Sequence, residues 1–122
     1  MSQSVMHMER YREGIRLLNQ GEFYDAHEVL EDVWRAAPEP ERKFLQGLIQ
    51  VAVALHHHSK GNLVGARSLM GRASKNLSHY PEQFGGIQLG PLRQSLMLWQ
   101  DACTGGRATL QVPRVDWLDH QS

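Results

Sequence analysis

The chain has 122 residues, of which 41% are hydrophobic and 21% charged, and its 13 lysine and arginine residues balance 13 aspartate and glutamate residues. This length suits one domain with a single core, and the composition excludes an intrinsically disordered chain. No apolar run reaches the roughly 18–20 residues that span a bilayer. The first ten residues have no basic region followed by an apolar block, so we expect no secretory signal. Cys103 is the only cysteine, so no intrachain disulfide can form, which favours a cytoplasmic location.

Five amphipathic helices are predicted. Apolar residues recur at helical spacing in five stretches, and Gly21, Pro38, Gly61 and the glycines of residues 85–90 mark the turns between them. The predicted helices cover, in chain order, about residues 4–19, 22–37, 40–60, 62–78 and 91–102. No stretch predicts a strand of useful length, and residues 80–90 are expected to form a loop. We therefore expect an all-α fold, a compact bundle of antiparallel helical hairpins with its core over about residues 4–104.

Residues 105–122 lack helical periodicity. Short apolar alternation around Pro113 predicts an extended C-terminal tail that docks on the bundle through Leu110, Val112 and Trp117. Bundle and tail together are expected to form one domain over residues 1–122. Cys103 is expected to follow the last helix, and it has no nucleophile signature.

The second helix carries the first candidate site. With Phe23 at 0° on a helical wheel, Leu30 and Trp34 fall within roughly 40° of it, which predicts that Trp34 faces inward. His27 lies at about 40° on the far edge of this stripe and Glu31 at about 80°. One helical turn separates the two, so their side chains should be within reach of each other at the boundary of the core.

The third helix is apolar around most of its surface, with one polar stripe. With Phe44 at 0° on a helical wheel, Gln46, Gln50 and His57 fall together at roughly 200–240°. The stripe is either the narrow solvent face of a mostly buried helix, or it meets His27 and Glu31 across a helix pair and lines a polar pocket.

Three interpretations of the histidine–glutamate pair stay open. The pair is a helix-surface interaction; or His27 and Glu31 bind a metal ion with His57 as third ligand; or Glu31 orients His27 as a general base. The run of residues 56–58 is not a metal tract, because successive helical side chains point about 100° apart. The sequence identifies no particular cofactor.

A weak repeat and a charge asymmetry also stand out. The turn and helix that begin at Gly21 resemble those that begin at Gly61, 40 residues later, which is either a shared turn-and-helix pattern or a pair of stacked hairpins. Acidic residues crowd the second helix, while Arg67, Arg72 and Lys75 lie in the fourth. This asymmetry indicates internal pairing, a homo-oligomer contact or, less favoured, a nucleic-acid surface.

Three segments resemble one uncharacterised family. FYDAHEVLEDVWR (Phe23–Arg35), FLQGLIQVAVALHHHSKGN (Phe44–Asn62) and GAR (Gly65–Arg67) are similar to the family called domain of unknown function 309. The resemblance implies a small all-α domain and no established activity. The positions that match its signature are Ala26, His27, Glu28, Glu31, Trp34, Gln46, Gly47, Gln50 and His57.

The sequence predicts a helical binding or interaction module, with a protein partner or a small ligand and no membrane partner. The alternative is a metal- or histidine-dependent hydrolase that uses a polar cluster of His27, Glu31 and His57. Whether the chain is an enzyme stays open. The candidate polar site comprises His27, Glu28, Glu31, Gln46, Gln50 and His57.

Overall fold

A computed structural model describes residues 2–105 and 114–118, and gives no side-chain description for residues 2–7 and 102–105. Five helices form within these residues: α1 (Ser2–Asn19), α2 (Phe23–Ala36), α3 (Glu39–Ser59), α4 (Leu63–Leu77) and α5 (Leu89–Gly105). Each helix packs against the next along the chain, and the expected all-α bundle of helical hairpins is confirmed. Among the described helices, none is both long and apolar enough to cross a membrane.

The segment expected to be a loop contains a short β-hairpin. Strand β1 (Gln83–Phe84) pairs in antiparallel with β2 (Ile87–Gln88). The segment expected to be a loop over residues 80–90 thus contains two strands of two residues each. Gly85 and Gly86 have φ angles of 63° and 75°, and a two-residue hairpin turn needs such positive values, which glycine adopts without strain.

The fifth helix is longer than expected at both ends. It begins at Leu89 rather than near residue 91, because Gly90 and Pro91 fit the first helical turn, where proline is tolerated. It continues to Gly105, so the expectation that Cys103 follows the helix is wrong, and the residue lies within it.

The α1–α2 and α3–α4 turns share one geometry. Gly21 and Gly61 have φ angles of 84° and 83°, and in both turns the N–H of the next residue donates back into the preceding helix over 2.9 Å. Asn62 caps the start of α4, since its side chain accepts a hydrogen bond from the N–H of Gly65. These matching turns fit the 40-residue repeat, whose origin stays a prediction.

The core lies along the seams between successive helices. On α2 its centre is Leu30, with Ala26 and Val33 beside it. Trp34 was expected to face inward, but it is only half-buried, and the Arg42 guanidinium lies 4.1 Å from the centre of its ring. On α4 and α5 the buried residues that contribute to the core are Ala66, Met70, Ala73, Leu77, Leu92, Leu96 and Trp99.

Residues 114–118, called the strap below, lie against α1 and the hairpin. Trp117 forms an antiparallel bridge with Ile87, so the predicted docking through Trp117 is confirmed. Val115, which the sequence did not single out, is the buried anchor at 1% exposure. The other two predicted docking residues, Leu110 and Val112, lie outside the described residues.

Candidate functional site

His27 and Glu31 meet as their spacing predicts. The Nε2 atom of His27 lies 3.3 Å from Oε2 of Glu31, and the side chains are 23% and 39% exposed. Glu31 also faces Arg35, with Oε1 3.7 Å from Nη2. His27 therefore lies at the core boundary, in a local helical pair that shares its carboxylate with an arginine.

An aromatic residue and a different histidine complete the surroundings of this pair. The ring of Tyr24 lies 5.6 Å from that of His27 and 5.8 Å from that of His56, between centroids. Tyr24 is 54% exposed. The α3 histidine nearest to this cluster is thus His56, the neighbour of the predicted His57.

The α3 polar stripe makes its contacts elsewhere. Gln50 accepts a hydrogen bond from Asn76 of α4 over 2.9 Å. His57 Nδ1 lies 3.3 Å from the Asn62 side-chain nitrogen, at the start of α4. Gln46 and Glu28 are exposed. The structure brings together His27 and Glu31, but not the other four residues of the candidate polar site.

Within residues 2–105 and 114–118, no group of three or more metal-ligating side chains is placed to hold an ion. The three-ligand site of His27, Glu31 and His57 stays a prediction. Arg67, Arg72 and Lys75 are all exposed on α4 and fall within an arc of about 140°, and the nucleic-acid hypothesis likewise stays a prediction.

A groove that the sequence did not predict lies where the N-terminal half of α1, the α2–α3 turn and the hairpin meet. Its volume is about 600 Å³. Most of its lining is apolar or aromatic. The lining residues are Met8, Tyr11, Val33, Ala36, Ala37, Pro38, Glu41, Phe44, Leu45, Phe84 and Gly85.

A cluster of aromatic side chains packs around the groove residue Phe44. Phe44 lies at its centre, with ring centroids 6.3 Å from Tyr11, 5.7 Å from Tyr80 and 4.9 Å from Phe84. The Tyr11 hydroxyl donates to the carbonyl of Gly85 over 2.6 Å. These contacts tie α1, α3 and the hairpin into one wall.

The second tyrosine hydroxyl closes the N-terminal turn of α3. Tyr80 accepts a hydrogen bond from the N–H of Phe44 over 3.0 Å and donates to the carbonyl of Pro40 over 2.8 Å. This hydroxyl therefore bridges the Phe44 N–H and the carbonyl four residues earlier, the two groups that pair in a regular helix.

Glu41 is the charged residue in the lining of the groove. It is exposed and forms no ion pair within the described part of the chain. Burial, and secondarily the Glu41 carboxylate, raise the pKa of Tyr11 well above its ordinary value. The hydroxyl thus stays protonated and keeps donating to Gly85.

The helical periodicity of the sequence could not predict this groove, because its lining residues come from three separate segments. These segments are α1, the α2–α3 segment and the hairpin. One local signal was available. Phe84 directly precedes the Gly85-Gly86 pair, and an aromatic residue beside a double-glycine turn indicates a close approach of backbone to other groups.

Comparisons with known proteins find similarity to a family whose function is unknown. A model of the domain of unknown function called DUF309 matches residues 11–69. An uncharacterized protein of Aquifex aeolicus (strain VF5) is 39% identical over 79 residues, which are 64% of this chain and 24% of that protein. The uncharacterized protein YpuF of Bacillus subtilis (strain 168) is 40% identical over 57 residues, 46% of this chain and 33% of YpuF. The match thus spans a third or less of each relative. Over residues 11–69, just under half of its length, the chain is similar to the DUF309 family, which confirms the resemblance that its motifs indicate.

Proposed function

We propose that this chain is a binding module whose groove takes an apolar segment of a partner protein that also carries a basic group. The observation that carries this proposal is the concavity of about 600 Å³ with its largely apolar lining. Ligand clefts typically measure roughly 300–1,000 Å³ and combine apolar walls with a few polar groups. The groove has both properties.

The walls of the groove are held in place before a ligand arrives. The hydroxyl groups of Tyr11 and Tyr80 are both engaged with backbone groups. The aromatic side chains therefore need little further ordering when a ligand binds. Such preorganisation favours affinity because less side-chain entropy is lost on association.

The unpaired Glu41 carboxylate supports a basic group in the ligand. It stands at an apolar cleft and has no ion pair within the described residues. A lysine or arginine of the partner would complement this charge and fix the register of the apolar segment.

The relatives also suit a modular role. The segments similar to this chain make up 24% and 33% of two longer proteins. In those proteins the shared unit is one part of a larger chain, which is a common arrangement for a binding domain.

A hydrolase that uses His27, Glu31 and His57 is the second proposal. The 3.3 Å contact between His27 and Glu31 favours it, because a carboxylate can orient an imidazole as a general base. Metal content, measured for the purified chain and for His27→Ala, tests its metal-dependent form. Stoichiometric metal that is lost in the variant would support it, and no metal in either protein would count against it. We rank it second because His57 contacts Asn62 rather than this pair.

The binding proposal is tested with peptides. A peptide that binds the immobilised chain is selected from a displayed random library. It is then synthesised in three forms that differ at one position, which holds Lys, Gln or Glu. We expect the Lys form to bind most tightly, as measured by fluorescence anisotropy. Glu41→Gln should weaken the Lys form by roughly 1.5–5-fold, since a partly exposed ion pair contributes about 0.2–1 kcal/mol. It should leave the Gln form unchanged.

Two further variants locate the binding site. Ala36 is exposed and lines the groove, so Ala36→Arg should obstruct the groove without disturbing the core. Glu39→Gln is the matched control, because Glu39 is exposed near the same turn and does not line the groove. Selected peptides that bind Ala36→Arg as tightly as the unmodified chain would contradict groove binding. Equal affinity for the Lys and Glu forms of the peptide would contradict the proposal that the ligand carries a basic group.

A further inference from the structure

The strap pairs with the β-hairpin through one antiparallel bridge, between Trp117 and Ile87. The N–H of Gln88 donates to the carbonyl of Asp116 over 2.8 Å, and the N–H of Leu118 donates to the carbonyl of Gly86 over 2.9 Å. A hairpin with two residues in each strand has little stability of its own. The backbone hydrogen bonds of the strap therefore contribute to holding the hairpin in position.

A side chain of α1 clamps the other end of the strap. The Asn19 amide nitrogen donates to the carbonyl of Val115, and the Asn19 amide oxygen accepts from the Val115 N–H, both over 2.8 Å. The Val115 side chain is buried. Asn19 does not line the groove, so a change at this clamp acts on the groove only through the strap.

Trp117 connects the strap to the groove wall. Its ring meets the Tyr11 ring edge-on, with centroids 5.9 Å apart, and it lies against Gly86. Tyr11 lines the groove and donates its hydroxyl hydrogen to Gly85, which also lines it. A continuous set of contacts thus leads from the strap to both residues.

We infer that the strap positions the hairpin wall of the groove, so that docking of the strap and binding of a ligand strengthen each other. This regulation rests on the proposed binding function. Coupling between two binding events is reciprocal, so a ligand in the groove should also hold the strap in place. A partner strand that displaced the strap from β2 would weaken binding in the groove.

The first experiment needs no ligand. Asn19→Ala removes both clamp hydrogen bonds, and amide hydrogen exchange is measured at Phe84 and Ile87 of the hairpin. We expect exchange there to rise several-fold while exchange in α4 stays unchanged. Asp116→Asn is the control, because the Asp116 side chain is exposed and lies 3.8 Å from the side chain of Arg114. Unchanged hairpin exchange in Asn19→Ala would overturn the inference.

A second variant covers the case in which Asn19→Ala loosens the whole fold. Trp117→Leu leaves the clamp intact and removes the ring from the side of Tyr11. Faster hairpin exchange with unchanged α4 exchange would support the inference. Hairpin exchange equal to that of the unmodified chain would overturn it.

The second experiment uses the selected Lys peptide. We expect Asn19→Ala to bind it at least about 5-fold more weakly, and we expect saturating peptide to slow exchange of the Leu118 amide in the unmodified chain. Equal affinity in both proteins would overturn the regulation and leave the binding proposal standing. Faster hairpin exchange in Asn19→Ala, with no peptide bound by the unmodified chain, would contradict the binding proposal and leave the structural role of the strap supported.

Discussion

Replacing Gly47 by alanine should destabilise the fold by closing a tight contact between α3 and α4. A Cβ atom at this position would lie 2.7 Å from Cγ and Cδ2 of Leu77, whereas ordinary contact begins at 3.4 Å. Leu77 is fully buried, so the helices must shift or the leucine must leave its rotamer. Overpacking of this kind costs about 1–3 kcal/mol. Alanine is more favourable than glycine inside a helix by about 0.8–1 kcal/mol, which offsets part of that cost. The expected net loss is about 1 kcal/mol.

Gly71→Ala is the matched control within α4. Its added Cβ would lie 2.9 Å from the side-chain nitrogen of Gln100, the flexible end of a long side chain that can move aside. This variant should be as stable as the unmodified chain, or more stable by up to about 1 kcal/mol. Urea unfolding followed by circular dichroism measures both. If Gly47→Ala unfolds at the same or higher urea concentration than Gly71→Ala, the close contact with Leu77 is not limiting and the reasoning is refuted.

Three further predictions concern single side chains. The raised pKa of Tyr11 stabilises the fold below the ordinary tyrosine pKa of about 10, and this contribution is lost as the pH rises above that value. At pH 8, Tyr11→Phe should unfold with a free energy about 0.5–1.5 kcal/mol lower than that of the unmodified chain, because its hydrogen bond to Gly85 is missing. Between pH 8 and 11, the unfolding free energy of Tyr11→Phe should fall less than that of the unmodified chain. Urea unfolding measures both differences. Trp34→Ala should lower the unfolding free energy by about 2–3 kcal/mol, less than the roughly 3–5 kcal/mol expected for a fully buried aromatic residue. Trp34→Phe should lower it much less, because the Trp34 indole N–H is buried without a hydrogen-bond partner in the described chain. Thermal unfolding of both variants checks this order. His27→Ala should change the unfolding free energy by about 0.5 kcal/mol or less if its contact with Glu31 is only a helical surface pair, and a loss above 2 kcal/mol would contradict that.

The helices and the His27–Glu31 contact could be predicted because both depend on local spacing. Apolar residues three and four positions apart define a helix face without any knowledge of its partner. In the same way, residues one turn apart on a helix lie within reach wherever that helix packs.

The partners of the α3 polar stripe could not be predicted. Periodicity places Gln50 and His57 on one stripe, but which neighbouring helix approaches that stripe depends on packing. In the structure both residues contact groups in or just before α4. The expected meeting of these residues with His27 required the stripe to face α2.

The hairpin and the groove could not be predicted from the sequence for a related reason. Strands of two residues are too short to show alternation, so Gly85 and Gly86 were the only local signal. The groove depends on contacts between distant segments, such as the bond from Tyr11 to Gly85, 74 residues apart. No periodic pattern encodes such a contact.

The most direct test of the binding account is a titration of the isotope-labelled chain with the selected Lys peptide, followed by nuclear magnetic resonance. The account predicts that the largest shift changes occur at the groove, at the amides of Ala37, Glu41 and Gly85. Changes concentrated around Tyr24 and His56, or along the exposed basic residues of α4, with the groove amides unmoved, would contradict it.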